Sequence, residues 1–345
     1  MCKIVVIFTK FGYTVHEIHF TNVRQEEFSM SGTKPAVILR VARLYYEEGK
    51  SQQEIAETEH VHRTQVSRIL KQAREEGYVK FTVAMPQSVP NMETARQLAG
   101  QLGLREVFIT PELPHFEPEK SYVHSAANYL AGILPDYHSI GFGVGKTLSE
   151  IGKAFVGQRS DEVPELYGLF GYAGSDNPYL QGSVVLDQFA RTTGGKCHYN
   201  NFPMLMDRNR LSPTEERQLE TMRKTFRSLD LLVLSIGGPF SLDYPYFGEF
   251  YDTVRRFNNK KVFNKPHGNL LGNVLYADGK RLSLPEPYFN TSMSLEDLKR
   301  HPNVLCFAYG EEKVLAICAA AKGHYIDALV TDLPTAELLL QQSRC

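Results

Sequence analysis

Between residues 35 and 48 the apolar side chains Val37, Ile38, Val41, Leu44 and Tyr45 recur at three- and four-residue steps, the spacing of one helix face. Gly49 ends that stretch. Ser51 then stands where a cap is needed, and Glu54, three residues on, completes a capping box for a short second helix reaching about Glu57. A third helix is expected from about Arg63 to Glu76, with Val66, Ile69, Leu70 and Ala73 on one face and Gly77 as its C-cap. Residues 78–83 alternate as a strand does. Residues 85–90 carry prolines at 86 and 90, which break both helix and strand, and read as a linker.

Beyond Asn91 the period switches back and forth. Helical spacing covers 92–102, 122–134, 148–156, 180–192, 213–227, 246–257, 295–300, 311–321 and 334–342. Short apolar runs at 107–109, 140–144, 166–172, 231–236, 304–309 and 326–331 lie between many of them. Strands alternating with helices predict a mostly parallel sheet covered on both faces, with ligands beyond the carboxyl ends of the strands. Those ends carry small or polar residues: Gly143 to Thr147, Gly171 to Gly174, Gly237-Gly238-Pro239, Tyr309-Gly310 and Thr331-Asp332. The expected fold class is therefore an N-terminal all-α helix-turn-helix domain over 31–85, a linker over 86–91, and a C-terminal α/β domain over 92–345. Residues 1–30 show no clear period and stay unassigned; Met30, just before the first convincing helix, offers an alternative start.

Composition changes this picture little. Lys plus Arg is 38 against 39 Asp plus Glu, so net charge is silent about a nucleic-acid partner and only local charge can speak. The five cysteines, Cys2, Cys197, Cys306, Cys318 and Cys345, form no C-x-x-C, which gives no metal site and fits free thiols in a reducing cytoplasm. No apolar run is long enough to span a membrane, and the apolar start, Cys2 to Phe8, is too short for a signal peptide.

The segment Ser51-Gln52-Gln53-Glu54-Ile55-Ala56, a turn at His60-Val61, then Arg63-Thr64-Gln65-Val66-Ser67-Arg68 has the spacing of a helix-turn-helix. Ile55 and the small Ala56 pack under the third helix and Val61 plugs the turn. The outward face then holds Arg63, Thr64, Gln65, Ser67, Arg68 and Lys71. Arg and Gln make bidentate contacts to base edges in the major groove, and a stretch with Arg63, Arg68, Lys71 and Arg74 but no acid suits phosphates. The plain alternative is a three-helix bundle with a solvated basic face.

Ile140-Gly141-Phe142-Gly143-Val144-Gly145-Lys146-Thr147 leaves a strand and enters a helix. A Walker A loop needs glycine where Ile140 stands, and a dinucleotide fingerprint needs one where Lys146 stands, so neither fits. What remains is a glycine loop at a helix N-terminus, which offers N–H groups to an anion. Thr147 adds a hydroxyl and Lys146 a charge. Lys313, just inside a later helix, is a second candidate anion contact. A tight turn with no ligand is the alternative.

These segments, with 231–238, 268–280 and 308–340, make the chain resemble the SorC family of sugar-responsive bacterial regulators over about residues 35–342. The most specific stretch is Leu329-Val330-Thr331-Asp332-Leu333-Pro334-Thr335-Ala336 together with Lys313. The resemblance implies operator DNA and a phosphorylated sugar as partners, a dimer or tetramer, no cofactor and no turnover, on a domain similar to ribose-phosphate and glucosamine-phosphate isomerases. The expected effector site is then Gly143, Gly145, Lys146 and Thr147 on the phosphate, with Lys313 as a second cationic partner and Asn269 reaching the sugar hydroxyls. The chain departs from the family where Lys146 replaces an uncharged residue, where a common Gly-Asp is Gly268-Asn269, where a usual Gly-Gly is Tyr309-Gly310, and along 196–206 with Tyr199, Asn200 and Asn201. An isomerase or deaminase carrying a DNA-binding domain is the competing reading. It needs a positioned base for enediol proton transfer; Asp187, Asp243 and Asp332 are available, but no acid–His cluster stands beside the glycine loop. A sugar kinase is a weaker third reading, opposed by the broken Walker spacing.

Overall fold

The computed structural model describes residues 4–9, 12–15, 34–76, 78–83, 91–156, 162–173, 179, 181–238 and 266–342; at 4–15 and 80–83 only the backbone is described. The expectations placed on Met30, Gly77, the linker up to Pro90, Gly174, Leu180, Pro239, Asp243 and the helix over 246–257 lie outside those residues. The chain divides into two compact units, Met1–Val89 and Pro90–Cys345.

In the first unit, α1 (Pro35–Tyr46), α2 (Gln52–Thr58) and α3 (Arg63–Glu75) form the helical core. Ile38, Val41, Ala42, Ile55, Ala56, Val66, Ile69, Leu70 and Ala73 close it. The expected capping box is present: Glu54 N–H donates to Ser51 Oγ (3.2 Å) and Ser51 N–H to Glu54 Oε2 (2.7 Å). A small sheet joins the helices. Strand β3 (Val79–Val83) pairs in parallel with β1 (Ile4–Thr9), which pairs antiparallel with β2 (Gly12–Val15). Thus the apparently patternless N-terminus holds two strands. Its apolar run Ile4–Phe8 is continuous rather than alternating, so period alone did not reveal them.

The second unit opens with α4 (Met92–Leu102), β4 (Glu106–Ile109), α5 (Pro118–Ile133), β5 (Ser139–Phe142), α6 (Lys146–Ala154) and β6 (Glu165–Gly168). There follow α7 (Gly182–Thr193), β7 (Lys196–His198), β8 (Leu205–Asp207), α8 (Pro213–Arg227), β9 (Leu231–Ser235), β10 (Gly268–Leu270), β11 (Asn273–Leu275) and β12 (Tyr288–Asn290). The chain closes with α9 (Leu295–Arg300), β13 (Val304–Phe307), α10 (Val314–Lys322), β14 (Ala328–Thr331) and α11 (Leu333–Gln341). Seven strands make one sheet in the order β4-β14-β13-β9-β5-β6-β7, every neighbouring pair parallel. The central strands are buried along their length, Leu231 to Leu234 and Val304 to Phe307 among them, as a sheet covered on both faces requires.

From β5 the chain steps outward through β6 to β7, then returns to place β9 on the other side of β5. Strand order reverses there, and in such sheets the crevice at that switch point is where ligands sit. Two short antiparallel pairs, β10 with β11 and β12 with β8, stand apart from the main sheet. These strands are three residues each, too short to print a period on the sequence. Cys197 and Cys306 are free, but Cys318 is disulfide-bonded, which corrects the reading of five free thiols. Among the described residues no helix is long and apolar enough to cross a membrane.

Candidate functional site

Two surfaces carry the chemistry, one on each unit. On the first, the turn between α2 and α3 is set by His60, held at a φ of +53°, and by Val61, whose N–H donates to Ala56 O (3.0 Å). Arg40 grips Glu59 with two hydrogen bonds of 2.8 and 2.6 Å, tying α1 to that turn. Helix α3 therefore buries Val66, Ile69, Leu70 and Ala73 and leaves Arg63, Thr64, Gln65, Ser67, Arg68 and Lys71 exposed together. Lys71 lies 3.7 Å from Glu75, and Arg74 donates to the Tyr46 hydroxyl (3.0 Å). Arg63 and Arg68 make no ion pair among the described residues.

On the second unit the loop 143–145 follows β5 at the switch point. Gly145 has a φ of +137°, and a Cβ there would lie 2.6 Å from Ser235 Oγ, so only glycine fits. Ser235, at the end of β9, donates to Val144 O (2.9 Å) and clamps the loop. The two glycine N–H groups are already used: Gly143 donates to Val233 O and Gly145 to Tyr179 O, both 2.9 Å. The glycines thus shape the loop, and the donors left for an anion are the first N–H groups of α6, at Lys146, Thr147 and Leu148.

The remaining expected residues converge from other strand ends. After β9, Gly237 exchanges backbone hydrogen bonds with Asn269 of β10 (2.9 and 3.0 Å). Asn269 Oδ1 accepts from Gly272 N–H (3.0 Å), while its buried Nδ2 has no hydrogen-bond partner among the described residues. A side chain at Gly238 would come within 3.4 Å of Lys313 Nζ, which places that ammonium against the end of β9. Lys313 belongs to a 3-10 turn, Glu311–Lys313, that leads into α10. Burial pushes its pKa down; Glu312 pulls the other way, and the charge of Lys146 lowers it further. Lys146 Nζ donates to Glu119 Oε1 (2.8 Å), which also accepts from the Tyr309 hydroxyl (3.2 Å). That contact raises the Lys146 pKa and lowers that of Glu119.

Sequence reasoning missed Glu119 and Ser235. Helix α5 starts at Pro118, four residues before the expected start, with Glu117 as N-cap, so Glu119 sits in a first helical turn and not in a loop. Ser235 had one signal: a polar residue closing the buried run Leu231 to Leu234. Of the carboxylates available to an enzyme, Asp332 caps α11 by accepting Thr335 N–H (3.1 Å) and Asp187 accepts the Tyr199 hydroxyl (2.7 Å). Among the described residues no cluster of three His, Cys, Asp or Glu could hold a metal ion.

A helix-turn-helix with an exposed basic face on one unit and a doubly wound parallel sheet on the other have the architecture of a ligand-responsive DNA-binding regulator. The comparisons agree. Residues 88–341 match the family model described as "Putative sugar-binding domain", and residues 34–80 match a homeodomain-like helix-turn-helix model. The chain belongs to this sugar-binding family, in the SorC-type group of sugar-responsive transcriptional regulators. It is 27% identical to the sorbitol operon regulator of Klebsiella pneumoniae, over 88% of this chain and 98% of that one. It is 24% identical to the deoxyribonucleoside regulator of Bacillus subtilis, over 90% and 99%. The crystal structure of the full-length K. pneumoniae sorbitol operon regulator superposes with a TM-score of 0.62 at 23% identity, covering 90% of this chain and all of that one. A transcriptional regulator from Streptococcus pneumoniae gives 0.60 at 22% identity, over 72% and 96%.

Proposed function

We propose that this protein is a transcriptional regulator of a carbohydrate operon that binds operator DNA through α3 and is switched by a phosphorylated sugar. One observation carries the DNA half: Arg63, Thr64, Gln65, Ser67, Arg68 and Lys71 share one exposed face of α3 while every apolar residue of that helix is buried. Arg68 and Gln65 reach base edges; Arg63 and Lys71 meet phosphates. The effector half rests on convergence at the switch point. The α6 N–H groups, the Thr147 hydroxyl and Lys313 hold the phosphate, and the unpaired Asn269 Nδ2 donates to a sugar hydroxyl. Gly143 and Gly145 give the loop its shape.

The chain acts without turnover in this reading. The ligand regulates because it prefers one arrangement of an oligomer, a dimer or tetramer that presents paired reading helices to a two-fold operator. The test is operator binding with and without a panel of sugar phosphates. Lys313→Met and Thr147→Ala keep operator affinity in the absence of ligand and lose the ligand response. Loss of both together would assign the loop a structural role; an intact response would place the phosphate elsewhere. Product formation from any sugar phosphate would favour the isomerase reading.

A further inference from the structure

Helix α8 meets the β8–β12 ribbon across one aromatic ring. Phe289, on β12 and 7% exposed, has the guanidinium carbon of Arg208 at 4.7 Å from its ring centre and that of Arg223 at 5.5 Å. Arg208 opens the short turn after β8. Asp207 fixes that turn by accepting Asn209 N–H (2.9 Å), and Arg208 N–H donates to Pro287 O (3.0 Å). Arg223 stands on α8 one turn before the helix ends at Arg227. A single cation over a ring face is attracted to it. A second one over the same ring adds like-charge repulsion, which an acceptor between the two would offset.

The neighbouring carboxylates do not supply that acceptor. Asp207 pairs with Arg210 (3.6 Å), Glu220 with Lys224 (3.8 Å), and Asp297 with Arg227 (2.8 Å) and the Ser294 hydroxyl (2.9 Å). Among the described residues the side chains of Arg208 and Arg223 make no hydrogen bond and no ion pair. Arg223 is half-buried. Burial lowers its pKa and the charge of Arg208 lowers it further, while Glu220 and Asp297 pull it up. Two planar forks of N–H donors are thus left without an acceptor. A carboxylate has one charge and one pair of oxygens, which a single fork satisfies. A phosphate dianion has oxygens and charge for both. We infer that Arg208 and Arg223 form a site for the phosphate group of a small soluble anion, which bridges the β8–β12 ribbon to α8. Arg223 lies on the half of α8 that leads into the amino end of β9, where Asp230 N–H donates to Ser139 O at the start of β5 (2.9 Å). The proposed effector crevice lies at the carboxyl ends of those same strands, so the two sites are separate.

The test is melting temperature against sodium phosphate, with sodium chloride and sodium acetate at matched ionic strength as controls. It uses the full chain carrying Thr147→Ala and Lys313→Met, which removes the proposed effector contacts and makes the outcome independent of them. Phosphate raises the melting temperature and the control salts do not. Adding Arg208→Met or Arg223→Met weakens phosphate binding at least about tenfold. The melting temperature in chloride holds or rises, because methionine keeps an apolar stem over Phe289 and the repulsion is gone. Arg208 is exposed, so its variant reports even where Arg223→Met unfolds. A phosphate effect that survives the substitutions overturns the site, as does an equal rise in acetate or chloride, or no rise at all. Loss of operator affinity in the arginine variants would assign them to the DNA backbone and overturn the small-anion site.

Discussion

The two surfaces proposed to meet operator and effector anions are built on opposite plans. On α3, Arg63 and Arg68 stand exposed with no ion pair among the described residues, and their side chains come from one continuous helix. At the switch point, Lys146 is held by Glu119 and Lys313 is half-buried beside Gly238, and the contributing residues come from the ends of β5, β9, β10 and β13. An open, unpaired charge attracts any polyanion at long range, with a strength that salt controls. A neutralised or desolvated charge discriminates at short range, because a ligand must displace its partner or restore its lost hydration. The first plan suits a surface that scans DNA; the second suits a switch that must ignore most anions.

The comparison breaks most visibly if the units are not independent. Leu70 is 2% exposed in the helical core of the first unit. Leu70→Ala removes about 2–5 kcal/mol from that unit. Scanning calorimetry is expected to show one transition falling while the transition of the α/β unit, and its ligand-induced rise, stay in place. Movement of both would mean that the units unfold together. Next in size is the base-reading face. Gln65→Ala or Arg68→Ala is expected to cost roughly 1–3 kcal/mol at the correct operator and much less at random DNA, whereas Lys71→Ala weakens all DNA alike and reduces the salt slope by about one. Fluorescence titrations at several salt concentrations check this; equal losses on both DNAs from Arg68→Ala would move it from base reading to phosphate contact.

The same contrast explains what could be read without coordinates. The helix-turn-helix was legible because its signals are local: a capping box at Ser51 and Glu54, a plug at Val61, and four buried positions at helical spacing inside a single helix. The sheet was legible through its buried runs, 231–236 and 304–309, although strand ends fell one or two residues short of the apolar stretches. The proposed effector site was legible only in part. Lys146 and Thr147 follow from the loop, but the pairing of Lys146 with Glu119 joins residues 27 positions apart. The approach of Lys313 to Gly238 joins strand ends that only the sheet order makes neighbours. Strands β8, β10, β11 and β12 were invisible because three residues cannot establish a period, and Asn269, with its unpaired amide, sits on one of them.

A smaller effect sharpens the comparison through protons. Burial holds the Lys313 pKa below the ordinary lysine value of 10.5. Between that lowered pKa and the ordinary one the unfolded chain binds more protons than the folded one, so Lys313 opposes folding at lower pH and the penalty fades as pH rises through the window. A bound phosphate stabilises the ammonium and raises its pKa. Ligand binding within that window is therefore expected to take up a fraction of a proton, and affinity to fall as pH rises through it, by up to about tenfold for each unit of pKa change on binding. Calorimetry in two buffers of different ionisation enthalpy measures the uptake. Lys313→Met should abolish it; uptake unchanged in that variant would assign the proton to another group. Residues on α3 should give no such signal on binding DNA.

The smallest expected effect isolates the partner that distinguishes the two plans. Glu119 is exposed, and so is Lys146, so their 2.8 Å pair is a surface contact worth about 0.2–1 kcal/mol. A phosphate on the N-terminus of α6 draws Lys146 away from Glu119 and also feels the carboxylate's repulsion. Glu119→Gln removes the repulsion and frees the ammonium, while its amide still accepts from the Tyr309 hydroxyl, so the stacking of Tyr309 on Tyr122, 3.9 Å between ring centres, is kept. Inorganic phosphate and sugar phosphates alike should then bind up to about fivefold more tightly, with the gain shrinking as salt rises. Operator affinity in the absence of ligand should not move. The variant's selectivity among sugar phosphates should stay as it was, since any phosphate gains equally while the hydroxyl contacts are untouched. A weaker response in Glu119→Gln would show instead that Glu119 positions Lys146 for the ligand, and the effector site would then share with α3 the plan of a charge held ready.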